Sequence, residues 1–312
     1  MSRAFVFPGQ GAQSIGMGKA LAETFPAAKA VFEEVSDALG FDLSALIWDG
    51  DIATLTLTQN AQPALMATSL AAMRALEAEG VGLAHAQCAA GHSLGEYSAL
   101  AAAGALSVGD TAKLLRTRGR AMQDAVPVGV GAMAAILGLN LDAVRGVAEE
   151  AAQGQVCEAA NDNDPAQVVV SGDKAAVERA VEIAKGRGAK RAVMLPVSAP
   201  FHCQLMAPAA EIMSEALDAV TIKAPTVPVI ANVLAAPVDD PGRIRALLVQ
   251  QITGAVRWRE SVMAMADAGV TEMWEIGAGK ALSGMVRRID RSIVCRAVGM
   301  PDDVTSCVES IS

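Results

Sequence analysis

The sequence predicts an α/β fold, a large domain of alternating strands and helices carrying an inserted ferredoxin-like α+β subdomain. Near both ends of the chain, short apolar runs close in glycine turns and lead into helical stretches, the pattern of a strand feeding a helix. Between about residues 131 and 197 the pattern changes to β, α, β, β, α, β, the order of a ferredoxin-like unit. At 312 residues the chain also exceeds the roughly 250 beyond which single cores tend to divide. Residues 1–127 and 198–312 are therefore read as the large domain and residues 128–197 as the insert.

Taken in order, residues 4–7 read as a short buried strand ending in the turn Pro8-Gly9-Gln10-Gly11, with a helical pattern from Met17 towards Phe25. Over residues 63–79, Leu65, Met66, Leu70, Met73 and Leu76 recur at three- and four-residue spacing and mark one helix face. Residues 86–90 form a small apolar run, Gly91 and Gly95 bracket a tight turn, and the Ala-rich segment from Glu96 is strongly helical. Within the insert, strands are expected near 132–137, 156–160, 167–171 and 191–197, with helices over 141–152 and 174–185. Further strands are expected at 227–232 and 272–276. Asn161 and Asn163, in the run Asn161-Asp162-Asn163-Asp164-Pro165, read first as turn formers and second as residues lining a cleft between the two units.

Composition narrows the function. Apolar residues make up 52% of the chain, yet every apolar stretch is broken well before the roughly 20 residues needed to span a bilayer. The segment Met1-Ser2-Arg3 runs into an apolar stretch too short for a secretory signal, so a cytoplasmic enzyme is expected. The five cysteines, odd in number and without CxxC spacing, read as reduced and structural, with no metal site. A net charge of -9 argues against nucleic acid as the principal partner, and the absence of a heptad pattern points to a monomer.

The chemistry centres on Gly91-His92-Ser93-Leu94-Gly95. A Gly-x-Ser-x-Gly run between an apolar strand and a helix is a nucleophile elbow, which makes the large domain α/β-hydrolase-like. The alternative is that Ser93 merely caps the helix. The amide of Leu94, at the helix N-terminus, is placed to stabilise an oxyanion. A serine needs a base, and the chain offers His85, His92 and His202. His85 reads as a loop residue. His92, next to Ser93 on a strand end, points to the opposite side and reads as structural. His202, in the loop after the last strand of the insert, is the candidate base.

Residues 9–13 (Gly-Gln-Gly-Ala-Gln), residues 91–96 (Gly-His-Ser-Leu-Gly-Glu), Arg118-Gly119 followed by Met122-Gln123, and residues 199–202 (Ala-Pro-Phe-His) together resemble the malonyl-CoA:acyl-carrier-protein transacylase family, in order over essentially the whole chain. The resemblance implies that Ser93 attacks a thioester, that His202 takes its proton, and that exchange is ping-pong through an acyl-enzyme. It also implies that the main-chain carbonyl of Gln251 takes the place of a triad acid, and that the backbone amide of Gln10 joins that of Leu94 in the oxyanion hole. Arg118 would clamp the free carboxylate of malonate, a task suited to a planar guanidinium, and Phe201 would exclude an α-methyl group. No cofactor is implied, coenzyme A being part of the substrate; the implied partners are malonyl-CoA and an acyl carrier protein.

Weaker features remain. Gly277-Ala278-Gly279-Lys280 lacks P-loop spacing and reads as a strand-to-helix turn. Residues 185–191 and Arg287-Arg288 read as solubilising surface or as docking sites for an acidic carrier. A serine hydrolase shares the elbow, histidine and oxyanion hole, a non-catalytic scaffold would share the fold, and polyketide or malonate-decarboxylating systems would share the chemistry. These readings stay open on the sequence.

Overall fold

The structure is a computed structural model that describes residues 2–311; Met1, where the N-terminal reading starts, lies outside the described residues. Its strands are β1 (Arg3–Phe7), β2 (Cys88–Gly91), β3 (Gly131–Leu137), β4 (Cys157–Asp164), β5 (Gln167–Asp173), β6 (Arg191–Met194), β7 (Val229–Ala231), β8 (Ala236–Val238), β9 (Glu272–Ile276) and β10 (Val294–Val298).

The larger sheet has the order β10-β9-β1-β2-β7-β8. All its pairings are parallel except that of the edge strand β8 with β7. Parallel strands are covered on both faces by helices, which is why β1 beyond Arg3 and β2 read as unbroken apolar runs, and both strands are buried along their whole length. From β1 the chain proceeds to β2 on one side and later returns to β9 on the other. The strand order therefore reverses at β1, and a crevice opens at the carboxyl ends of β1 and β2.

Pro63 reads as a helix start, yet the helix spans Thr58–Ala78 with the proline inside its second turn. Burial of nearly every residue from Thr58 to Leu76 offsets the one backbone hydrogen bond that the proline removes.

The smaller sheet is antiparallel, in the order β4-β5-β3-β6. With a helix, Leu141–Ala152, between β3 and β4 and another, Lys174–Gly186, between β5 and β6, this is the ferredoxin-like arrangement the pattern predicts. Strand alternation assigns the two faces. Ala132, Ala134 and Ile136 of β3 pack with Val168 and Val170 of β5 in a separate core beneath the two helices. Met133, Ala135 and Val169 point the other way, towards the large domain, and line a cleft.

Strand β4 corrects the turn expected at Asn161 and Asn163, since both lie within the strand and are buried. The free edge of β4 is completed by the large domain. Val256 N–H donates to the Ala160 carbonyl and Asp162 N–H to the Val256 carbonyl, each at 2.9 Å. The reversal falls later, at Pro165-Ala166, where the Ala166 amide donates to Asp164 Oδ1 at 2.9 Å. Among the described residues, no helix is long and apolar enough to cross a membrane.

Candidate active site

Ser93 sits between β2 and the helix Leu94–Ala102, with φ 55° and ψ −112°, and its side chain makes no capping hydrogen bond. Glycine is required on both sides. A Cβ on Gly91 would lie 1.9 Å from the Gly95 carbonyl oxygen, and one on Gly95 would lie 2.2 Å from that of Phe7. The serine backbone is strained, as a non-glycine residue in the left-handed region must be. It is tied down by Asn232, whose Oδ1 accepts from the Ser93 amide at 2.7 Å and whose Nδ2 donates to the Gly91 carbonyl at 2.6 Å.

His202 also has a positive φ, 59°, and is buried. Its Nδ1–H donates to the Gln251 main-chain carbonyl at 2.9 Å, which assigns the tautomer and leaves the Nε2 lone pair to accept from the Ser93 hydroxyl at 2.8 Å. Burial first, and the neighbouring Arg118 charge second, push the imidazole pKa down to about 3, so the ring is neutral at neutral pH. Serine, histidine and a backbone carbonyl thus form one continuous hydrogen-bonded chain.

Of the four cations on the helix Val108–Asp124, Arg118 alone is buried, at 1% exposure. Its Nη1 donates to Gln62 Oε1 at 2.8 Å, and its Nη2 donates to Gln251 Oε1 at 2.9 Å and to Ser93 Oγ at 3.1 Å. These partners are amides and a hydroxyl, and among the described residues no carboxylate forms an ion pair with it. Arg116 is half-buried against the Phe41 ring, while Lys113 and Arg120 are exposed.

A cavity of about 550 Å³ lies between the carboxyl ends of the large sheet and the helix-free face of the small one, within the usual size range of ligand sites. Gln10, His92, Ser93, Arg118, Phe201 and His202 all line it. Gln10 follows β1, and Leu94 begins a helix, so its amide has no intrahelical acceptor. His92 turns into this cavity instead of away from it, but its Nε2 is engaged by Asn163 Oδ1 at 2.9 Å and it makes no bond to the serine. Asn161 and Asn163 line the opposite wall, the second of the two roles considered for them. His85 lies in a short 3₁₀ turn, exposed and away from the cavity.

Three residues of this cluster escape the sequence reading. Glu96 is buried, and its Oε2 accepts from the Asn232 amide at 3.0 Å and from Gln251 Nε2 at 2.8 Å. Its position three residues after Ser93 was the available signal. Asn232 and Gln62 lie far away in sequence and carry none. The turn at residues 277–280 links β9 to the helix Ala281–Ile289, whose first amides donate to the Glu275 carboxylate at 3.0 and 2.7 Å. A side-chain carboxylate, rather than a phosphate, therefore satisfies that helix end. Among the described residues, no group of three or more His, Cys, Asp or Glu side chains is placed to hold a metal.

The acyl transferase domain family matches residues 4–306. A curated relative, the malonyl CoA-acyl carrier protein transacylase of Bacillus subtilis strain 168, is 47% identical over 309 residues, covering 99% of this chain and 96% of the relative. The chain belongs to the malonyl CoA-acyl carrier protein transacylase family. Among solved structures of this family, the acyl-carrier-protein-S-malonyltransferase of Bartonella henselae superposes with a TM-score of 0.98 at 53% identity, covering 100% of this chain and 99% of that one. A malonyl-transacylase in complex with a type II PKS acyl-carrier protein gives a TM-score of 0.97 at 41% identity, covering 99% and 100%. Family membership thus extends over both sheets and over all four segments that carry the resemblance.

Proposed function

We propose that the chain transfers a malonyl group from malonyl-CoA to the phosphopantetheine thiol of an acyl carrier protein through an acyl-enzyme on Ser93, supplying fatty-acid synthesis. The observation that carries the choice of acyl group is Arg118, a buried guanidinium beside Ser93 whose hydrogen bonds go to two amides and a hydroxyl and which, among the described residues, forms no ion pair with a carboxylate. A buried cation calls for an anion, and a malonyl group brings one at the end opposite its thioester.

In the first half-reaction the Ser93 oxygen attacks the thioester carbon while its proton passes to His202 Nε2. The imidazolium shares its charge with the Gln251 carbonyl through Nδ1–H. The amides of Leu94 and Gln10 receive the oxyanion. Collapse breaks the carbon–sulfur bond, His202 returns the proton to the departing CoA sulfur, and malonyl-serine remains. In the second half-reaction the carrier thiol gives its proton to His202 and its sulfur attacks the ester. Collapse then releases Ser93, which recovers the proton. Arg118 holds the carboxylate throughout, and Phe201, lining the cavity beside His202, disfavours an α-methyl group.

The same reading places the enzyme in the cytoplasm as a monomer that needs no cofactor beyond the CoA of its substrate. It also keeps residues 128–197, which contain β3 to β6, as an insert between 1–127 and 198–312.

Incubation with labelled malonyl-CoA tests the proposal. A malonyl adduct should appear on the Ser93 peptide by mass spectrometry, chase onto holo carrier protein, and be missing from Ser93→Ala. Release of free malonate at a rate unaffected by carrier protein would make the chain a hydrolase, and no adduct at all would make it a binding subunit.

A further inference from the structure

Glu96 is a carboxylate with 2% exposure beneath the site, and none of the transfer steps uses it. Its hydrogen bonds converge on a single oxygen. Oε2 accepts from Gln251 Nε2 at 2.8 Å and from the Asn232 amide at 3.0 Å. Each of those residues then reaches the reacting groups. Gln251 gives its carbonyl to His202 Nδ1–H, its Oε1 to Arg118, and a second hydrogen bond from Nε2 to the Ser93 carbonyl at 3.0 Å. Asn232 holds the Ser93 amide and the Gly91 carbonyl.

The side-chain amide of Gln251 has two ends that differ in chemistry, the oxygen accepting and the nitrogen donating. Arg118 needs the oxygen. What keeps the nitrogen pointing the other way is a pair of acceptors, Glu96 Oε2 and the Ser93 carbonyl. Asn232 is sorted in a related manner, its main-chain amide fixed by Glu96 while its side chain serves the elbow.

We propose that Glu96 is a positioning residue, which acts through Gln251 and Asn232 to hold His202, Arg118 and the Ser93 elbow in one geometry. It fills, at one remove, the orienting place that an acid in direct contact with histidine fills in a Ser-His-Asp triad. The inference rests on the reading of Ser93 and His202 as the reacting pair.

The test compares Glu96→Ala, Glu96→Gln and Gln251→Leu by their rates of reaction with a fluorophosphonate serine probe. That probe reports on Ser93 and His202 without malonyl-CoA or carrier protein, so failure of malonyl transfer would sink the substrate reading and leave this comparison intact. Glu96→Gln keeps an oxygen able to accept both hydrogen bonds but discards the charge. Gln251→Leu keeps the backbone carbonyl on His202 and removes only the side-chain relay.

Misplacement by about 1 Å costs on the order of 10²-fold in rate, so Glu96→Ala and Gln251→Leu should each slow the probe by about that factor. Glu96→Gln should recover most of the loss, and the Glu96→Ala/Gln251→Leu double variant should be no slower than the worse single one, as expected of residues in one network. An Ala variant as fast as wild type, a Gln variant as slow as Ala, or losses that multiply in the double variant would each overturn the proposal. If thermal melts show that Glu96→Ala does not fold, Glu96→Gln against Gln251→Leu decides. Gln near the wild-type rate supports positioning, and Gln at the Leu rate refutes it.

Discussion

Two walls face each other across the cleft, and they are specified differently. On the Ser93 wall, Gly91, Ser93 and Gly95 set the elbow within five residues, because a Cβ at either glycine would strike nearby backbone. On the opposite wall, residues 161–164 of β4 take their conformation from distant partners. Asp162 is paired with Arg259, 97 residues away, and Asp164 with Arg288, 124 residues away, while Asn163 engages His92. A steric rule acting between near neighbours leaves a motif in the sequence. A strand that owes its edge hydrogen bonds and its ion pairs to another domain leaves only a polar run, which in isolation looks like a turn.

Four changes would break or sharpen this contrast. The largest effect is expected at Arg118, on the Ser93 wall. Arg118→Ala should lower kcat/KM for malonyl-CoA by on the order of 10²- to 10³-fold, two charge-assisted hydrogen bonds being worth about 3–4 kcal/mol together. Acetyl transfer should persist or rise, and steady-state kinetics with both thioesters would check this. Unchanged malonyl kinetics would remove the reason for a carboxylated substrate.

Next comes Gly91→Ala. The added methyl overlaps backbone and not the end of a flexible side chain, so a loss of about 2–3 kcal/mol is expected, visible in urea unfolding and accompanied by loss of Ser93 reactivity.

On the far wall, Asp162→Ala should cost about 1–2 kcal/mol, since its carboxylate is 3% exposed but Arg259 is 25% exposed and partly solvated. A double-mutant cycle with Arg259→Ala isolates the pair. Serine-probe reactivity should survive this change, in contrast to Gly91→Ala.

The smallest effect is on pH dependence. His202 stays neutral in the folded protein down to about 3, so the acid limb of kcat/KM attributable to this base should lie well below the ordinary 6.5. The same depression costs stability as pH falls from 6.5, because only the unfolded chain then takes up the proton. Glu96 acts in the opposite sense. Burial pushes its carboxyl up from 4.5 to about 7, so its contribution is fully present below 4.5 and is lost as pH rises through about 7. Melting curves of Glu96→Gln against wild type between these limits should show the wild-type advantage shrinking as pH rises.

Legibility follows the range of the forces involved. The parallel strands β1 and β2, the ferredoxin-like order and the elbow were readable because burial on two faces, strand and helix periods and glycine sterics all act over a few residues. Arg118 could be singled out only through the family resemblance, because three other cations share its helix and nothing local distinguishes the one that is buried. His202 could be reached by elimination among three histidines. Glu96 stood in the motif, yet its link to Gln251 spans 155 residues. Asn232 and Gln62 had no local pattern at all.

By itself, then, the sequence determined the α/β class, the insert and the strained serine turn, since each follows from local sterics and the periodicity of apolar residues. Which arginine loses its water and which carbonyl meets the histidine could be named from the chain only by family resemblance, and only the tertiary structure decided which carboxylate lies behind them, because burial and hydrogen-bond partnership belong to surfaces that meet when distant segments pack.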